Sequence, residues 1–302
     1  MIYEYALEPG LLNNWQNFRY FAEKFGVPKG RLISRYPRKW ERLVLESLVS
    51  CGVIERKRIE EGLVNLKRHI LPRHHEWNRQ LDWLSNAEIE HGKRPFHGVV
   101  AGANPRNREF VLEAESLSEA NPLWCLPNLP PVQRTATHMA ERVAPLLCFS
   151  KLILFIDPHF RPNEIRWRRP LQAFLEVAIA TRRPGDIVKV EIHVNDDLEP
   201  SFFATQCQGL LPQIIPNGLG VRILQWREKE RGEKLHNRFI LTELGGVSFG
   251  IGLDDSDGVD GQTDDIQLLS QETYKLRFAQ YAGSPPPFDL VAEITVDGKR
   301  RI

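Results

Sequence analysis

His236 and Arg238 stand two residues apart in KLHNRFILTELGGVSFG, an apolar run that ends in a glycine-rich stretch. In a pleated strand alternate side chains share a face, so His236, Arg238 and Ile240 project one way and Asn237, Phe239 and Leu241 the other. A neutral imidazole is a competent nucleophile toward phosphorus, dividing one hard displacement into two through a phosphohistidine. A guanidinium beside it stabilises charge on the equatorial phosphoryl oxygens, holding two of them with its planar fork. Glu243, at the end of the same run, would orient a histidine ring nitrogen and stabilise its cationic form. The scheme requires no metal and no cofactor.

Displacement at phosphorus also needs an acid for the leaving oxygen. His159, in DPHF, follows an apolar run at the kind of strand end where α/β folds gather functional residues. His193, in EIHVND, is a third histidine to weigh, although its alternation with Ile192 and Val194 suits a packed sheet face. Asp157, Asn237, Gly250, Asp254 and Asp255 are the candidates for contacting substrate around this pair. The acidic run GLDDSDGVDGQTDDIQ could attract a hard cation, but it lacks an ordered loop spacing with a final Glu and reads better as a solvated turn.

The stretch HNRFILTE resembles the signature of the phospholipase D superfamily of phosphodiesterases and nucleases, His-x-Lys-x4-Asp. His236, Arg238 and Glu243 fall at the His, Lys and Asp positions, and after the six residues LGGVSF, Gly250 matches the glycine of the family's second strand. Lys has become Arg, Asp has become Glu, and the family's Ser and Asn positions hold Ile251 and Leu253. KLILFIDPHF is similar to the first strand of such a module, so the resemblance covers residues 150 to 285 or so. It implies a metal-independent nuclease acting on DNA or RNA with His236 as nucleophile. Members of this superfamily usually carry two copies of the motif, and this chain has one recognisable copy. Single-copy members pair two chains, so the resemblance implies a homodimer that apposes two His236 sites. The alternative is a catalytically degenerate module that binds nucleic acid or a protein partner within a larger complex. A helical region joined to a nuclease-like module would suit bacterial defence, by fold-level analogy alone.

The elements that must position these residues follow a regular alternation. KLILFID, DIVKVEIHVN and LGVRILQWRE read as strands, separated by helix-length segments, and HNRFILTELGGVSF reads as a hairpin. QETYKLRFAQYAG reads as a closing helix. Residues 136–302 are therefore expected to form an α/β module with a mixed-sheet sandwich, phospholipase D-like by the resemblance. Upstream, residues 11–25, 38–52 and 55–70 carry apolar positions at helical spacing, which predicts a mainly helical N-terminal region over 1–94. This region is also a candidate docking surface for protein partners. Residues 95–135 contain two extended segments and the proline-rich ANPLWCLPNLPPVQ, and read as a connector.

Composition limits the rest. The 302 residues are 42% hydrophobic and 26% charged, with a net charge of +1 that offers no global field for nucleic acid or membrane. A basic surface must then be local, and Arg35, Arg38 and Lys39 among Tyr36 and Trp40, with Arg166, Arg168 and Arg169 beside Trp167, are the candidates for following a nucleic-acid backbone. Cys51, Cys125, Cys148 and Cys207 form no metal-ligand spacing and read as buried free thiols in a reducing compartment. No secretory signal and no apolar run of membrane-spanning length is visible, so a cytoplasmic location without a membrane partner is expected.

Overall fold

The computed structural model describes residues 2–125, 130–180, 182, 188–259 and 261–301. About 40% of the chain is helix and 22% strand, which makes it a mixed α/β protein. It divides into two compact units, Met1–Leu129 and Pro130–Ile302.

The first unit is built on a parallel sheet. Its elements are β1 (Tyr3–Leu7), α1 (Trp15–Lys24), β2 (Arg31–Ser34), α2 (Trp40–Ser47), α3 (Val53–Leu66), β3 (Ile70–Leu71), α4 (Trp83–Lys93), β4 (Gly98–Ala101) and β5 (Val111–Glu113). The strands order as β3-β2-β1-β4-β5, and every pairing is parallel. Tyr5 and Leu7 of β1 pack with Phe18, Phe21, Trp40, Ile59 and Leu63 from α1 to α3. Ala6, pointing the other way, packs with Ala87 of α4 and with Phe96 and Val99. Helices on both faces are the usual cover of a parallel sheet. The three expected helices form as α1, α2 and α3, but the expectation of a mainly helical region is corrected by the sheet between them. Its strands run from two to five residues, too short for a period of two to show in sequence. The reading of 95–135 as a connector is also corrected. β4 and β5 complete the first sheet, the unit boundary falls after Leu129, and residues 126–129 of the proline-rich stretch lie outside the described residues.

The second unit comprises β6 (Val132–Gln133), α5 (Ala136–Phe149), β7 (Leu152–Ile156), α6 (Ile165–Ala180), β8 (Lys189–Asn195), α7 (Pro200–Leu210), β9 (Gly220–Arg227), β10 (Arg238–Thr242), β11 (Gly246–Phe249), β12 (Thr263–Asp264), β13 (Gln267–Leu268), α8 (Gln271–Ala282) and β14 (Asp289–Asp297). Its main sheet has seven strands in the order β13-β11-β10-β7-β8-β9-β14. β7, β8 and β9 are parallel, β10 and β14 run against them, and β11, antiparallel to β10, runs with them again. Strand alternation divides the core: Leu154, Ile156, Phe239 and Leu241 pack toward Tyr274, Phe278 and Tyr281 of α8, whereas Phe155 and Phe249 meet Phe174 of α6. The alternation read from sequence is present as expected, but the chain does not close with a helix. β14 follows α8, pairs antiparallel with β9 and forms an edge of the sheet.

Candidate functional site

The site grows from the point where β10 enters the sheet. Leu235 is buried and its N–H donates to Glu228 Oε1 at 2.8 Å, anchoring the chain just before His236. Phe239 pairs with Ile156 of β7, so the register continued by one residue sets Arg238 opposite Asp157. Arg238 shares its face with Ile240, on the α6 side of the sheet. It is half-buried, its Nε is shielded from water, and among the described residues it has no hydrogen-bond or ion-pair partner. His236 is exposed and likewise has no such partner among the described residues.

Asp157 is 1% exposed and forms the floor. Its carboxylate accepts N–H bonds from Leu253 at 2.9 Å and His159 at 3.1 Å. It borders a narrow apolar crevice of about 20 Å³ lined by Phe155, Phe160, Trp167, Leu171, Phe174 and Leu253. Loss of solvent pushes the Asp157 carboxyl up to about 6, with the two backbone donors and the charge of Arg238 pulling the other way and Asp254 adding to the rise.

His159 is half-exposed at the rim, its Nδ1 4.0 Å from Asp197 Oδ2. Partial desolvation, then the charge of Arg238, holds its ring below the usual imidazole value, with Arg161 and His236 acting in the same sense and Asp197 opposing. The ring is thus within electrostatic reach of both His236 and Arg238. An exposed imidazole, a guanidinium fork and a second imidazole gather at the carboxyl end of β7, where α/β sheets place ligands.

Other expected site residues are engaged elsewhere. Glu243 lies at the far end of β10 from His236, and its carboxylate accepts from the backbone N–H groups of Lys151 and Leu152 at 2.5 and 2.9 Å. Its expected role as orienter of a site histidine is therefore corrected to one of pinning the start of β7. Gly250 is corrected similarly. Its N–H donates to Asp264 Oδ1 at 2.9 Å, and an added Cβ would come within 2.8 Å of that oxygen. Asp254 accepts from Arg134 Nη2 at 2.7 Å and lies 3.5 Å from Arg166 Nη1. Asp255 takes a two-pronged grip from Arg169 at 2.7 and 2.8 Å, and Asp257 accepts from the same guanidinium. These carboxylates are already neutralised within the chain rather than held open for substrate. Asn237 is half-buried and, like His236, lies ahead of β10, which begins at Arg238, so the strand alternation expected from His236 onward is corrected to start at Arg238.

Asp254, Asp255, Asp257 and Asp264 of the acidic run thus spend their charge on arginines and backbone amides, and no group of three His, Cys, Asp or Glu among the described residues could hold a metal ion. Asp260 lies outside the described residues.

His193 is fully buried, with its Nδ1 accepting from Trp226 Nε1 at 3.0 Å and its ring stacked on that indole. Trp226 belongs to the α8 side of the sheet, so His193 faces away from Arg238 and has a packing role.

The expected basic and aromatic surface is corrected in its aromatic part. Tyr36, Trp40 and Trp167 are all buried, and Trp40 Nε1 donates to Leu7 O at 2.6 Å, so none of the three offers a ring to a base. Arg35 is paired with Glu41 at 3.2 Å and Arg169 with the aspartates. Arg38 and Lys39 are exposed, and Arg166 and Arg168 are half-buried. Of the cysteines, only Cys207 is buried and the other three are partly exposed. No helix among the described residues is long and apolar enough to cross a membrane.

Three residues missed in the sequence shape the site. Gly252 approaches so closely that a Cβ there would lie 2.4 Å from Asp254 Oδ1 and 3.5 Å from Asp157 Oδ2. Its signal was the second glycine of GIGLDD. Arg134, 6% exposed, joins the segment before α5 to Asp254 and carries no sequence signal. Arg161 donates to Asp197 Oδ2 at 3.0 Å beside His159, and its place directly after DPHF was the clue.

No family model matches the chain, and no curated protein matches it in sequence.

Proposed function

We propose that the second unit is a phospholipase D-like module that hydrolyses phosphodiester bonds in nucleic acid, with His236 as nucleophile and His159 of the same chain as acid and base. The observation that carries this reading is the unengaged pair of His236 and Arg238 with His159 within electrostatic range, above a floor set by Asp157. A solvated histidine and a half-buried guanidinium without internal partners are poised to receive an anion. A His236 ring nitrogen attacks phosphorus, the bond to the leaving oxygen breaks, and a phosphohistidine forms. His159 gives its proton to the leaving oxygen, later takes one from the water that cleaves the phosphorus–nitrogen bond, and so returns both rings to their starting state. In the free protein, burial and the Arg238 charge favour neutral His159. A bound phosphodiester offsets that charge and favours the protonated acid.

An acid within the chain makes apposition of two His236 sites unnecessary. Nucleic acid is preferred as substrate because the half-exposed Arg168 in the second unit and the exposed Arg38 and Lys39 in the first remain available to phosphates, whereas Arg166 is engaged by Glu164 at 2.7 Å.

The test is cleavage of labelled single- and double-stranded DNA and RNA in a chelator, comparing wild type with His236→Ala. Chelator-resistant cleavage lost in the variant supports hydrolysis. Binding by wild type without cleavage supports a silent binding module. That second reading draws on the absence, among the described residues, of a carboxylate bonded to His236, and on apolar Ile251 and Leu253 at the family's polar positions.

A further inference from the structure

β14 ends the main sheet of the second unit on one side and is its longest strand, nine residues from Asp289 to Asp297. Its inner edge is paired with β9 along its length. Gly298 N–H donates to Leu219 O across that pair at 2.9 Å, and the register is unbroken from Ala292 to Asp297. Backbone direction alternates, so Val296, Ile294 and Ala292 present their polar groups to β9 while Asp297, Thr295 and Glu293 present theirs outward. Among the described residues no strand pairs with that outer edge. A long free edge is a template for another strand, and soluble proteins usually shield one. Here the paired stretch has no proline and no lysine, and its one irregularity, between Leu290 and Ala292, lies near the start.

The sequence DLVAEITVD also states which strand fits. Antiparallel self-pairing about a two-fold axis at Glu293 sets acid against acid, Asp289 facing Asp297 and Glu293 facing itself. An axis at Thr295 sets Glu293 against Asp297, and an axis at Val296 pairs only three residues of the strand. An axis at Ile294 avoids each fault. Ile294 meets its own copy, Ala292 meets Val296, and Glu293 meets Thr295, both of which have outward polar groups. At the ends, Asp289, which lies 3.6 Å from Lys229 of its own chain, approaches Lys299 of the second copy, an arrangement of opposite charges.

We propose that β14 is a dimerisation edge, pairing antiparallel with β14 of a second copy about an axis at Ile294 to make one continuous sheet. Four strand spacings separate β10 from β14, so across the pair the two β10 strands would stand on the order of 40 Å apart. The two His236 sites would act independently. This dimer differs from one that apposes the two histidines, and it holds whether or not the chain cleaves phosphodiesters.

The test is sedimentation of the full chain together with amide exchange at high and low protein concentration. Wild type is expected to sediment at twice 34.8 kDa, with Glu293, Thr295 and Asp297 amides protected only when concentrated. Thr295→Pro removes an outward N–H without touching the β9 pairing, and should give a folded monomer with unchanged far-ultraviolet dichroism. Lys299→Glu, placing like charges at both ends, should weaken the dimer roughly tenfold. A wild-type monomer at high concentration overturns the proposal, as does a folded Thr295→Pro dimer of wild-type affinity. A dimer whose β14 amides exchange as freely as in the monomer places the interface elsewhere and overturns it equally. Should Thr295→Pro fail to fold, the wild-type exchange pattern and Lys299→Glu decide the matter.

Discussion

Asp157→Asn separates the charge of the site floor from its shape. The carboxyl rises from 3.8 to about 6 on folding because it lies against apolar side chains, and each unit is worth about 1.4 kcal/mol, so the shift corresponds to about 3 kcal/mol. The folded chain holds this proton more tightly than the unfolded chain does. The stability it contributes is therefore complete below the unfolded value and is lost as pH rises through the folded one. Asparagine has no such proton to lose. It keeps one acceptor oxygen, but turns an NH2 group toward either the Leu253 or the His159 N–H, a mismatch that costs about 1–3 kcal/mol at every pH. The variant should be the less stable protein at pH 4 and should gain about 2.5 kcal/mol on wild type by pH 8, so the two stability curves approach or cross. Urea unfolding across that range reads the difference, and a carbon-detected titration of the Asp157 carboxyl reads its midpoint directly. Parallel curves, or a carboxyl that titrates near 4, would refute the argument that the crevice beneath Arg238 is dry enough to hold a proton there.

Glu243→Gln should destabilise the second unit by about 1–3 kcal/mol, because its carboxylate accepts two backbone N–H groups at the start of β7. Turnover per folded molecule should be unchanged, and a loss of turnover in fully folded variant would return Glu243 to the chemistry. His193→Ala should cost about 3–5 kcal/mol by opening a cavity beside Trp226 and leaving its indole N–H without an acceptor. Its effect should appear in thermal melts and not in the KM of the folded fraction.

Much of the second unit was legible from local pattern. The apolar runs around Phe155, Ile192 and Ile223 are separated by helix-length segments, and burial on both faces leaves such runs almost continuously apolar. β14 carried its own alternation and was still missed, because it follows SPPPFD after an apparently final helix. In the first unit the helices showed themselves through residues such as Phe18, Phe21, Ile59 and Leu63, whose spacing is a property of one segment. The sheet did not, because Ile70–Leu71 and Gly98–Ala101 are recognisable as strands only through partners far along the chain.

The amino-acid order alone determined that Arg238 and Ile240 share a strand face, since the two-residue period of a strand is a local rule. That the strand starts at Arg238 and leaves His236 just ahead of it was not written there. The order determined equally that Trp40 and Tyr36 are aromatic neighbours of cations, but not that their rings lie in the core. Only the tertiary structure decided which histidine and which carboxylate stand beside His236 and Arg238. Register between β7 and β10 joins segments some eighty residues apart. It brought His159 and Asp157 to the site, sent His193 to the other face, and left Glu243 at the far end of its strand. A residue's chemistry is set by its side chain, whereas its neighbours and its exposure to water are set by how distant segments pack.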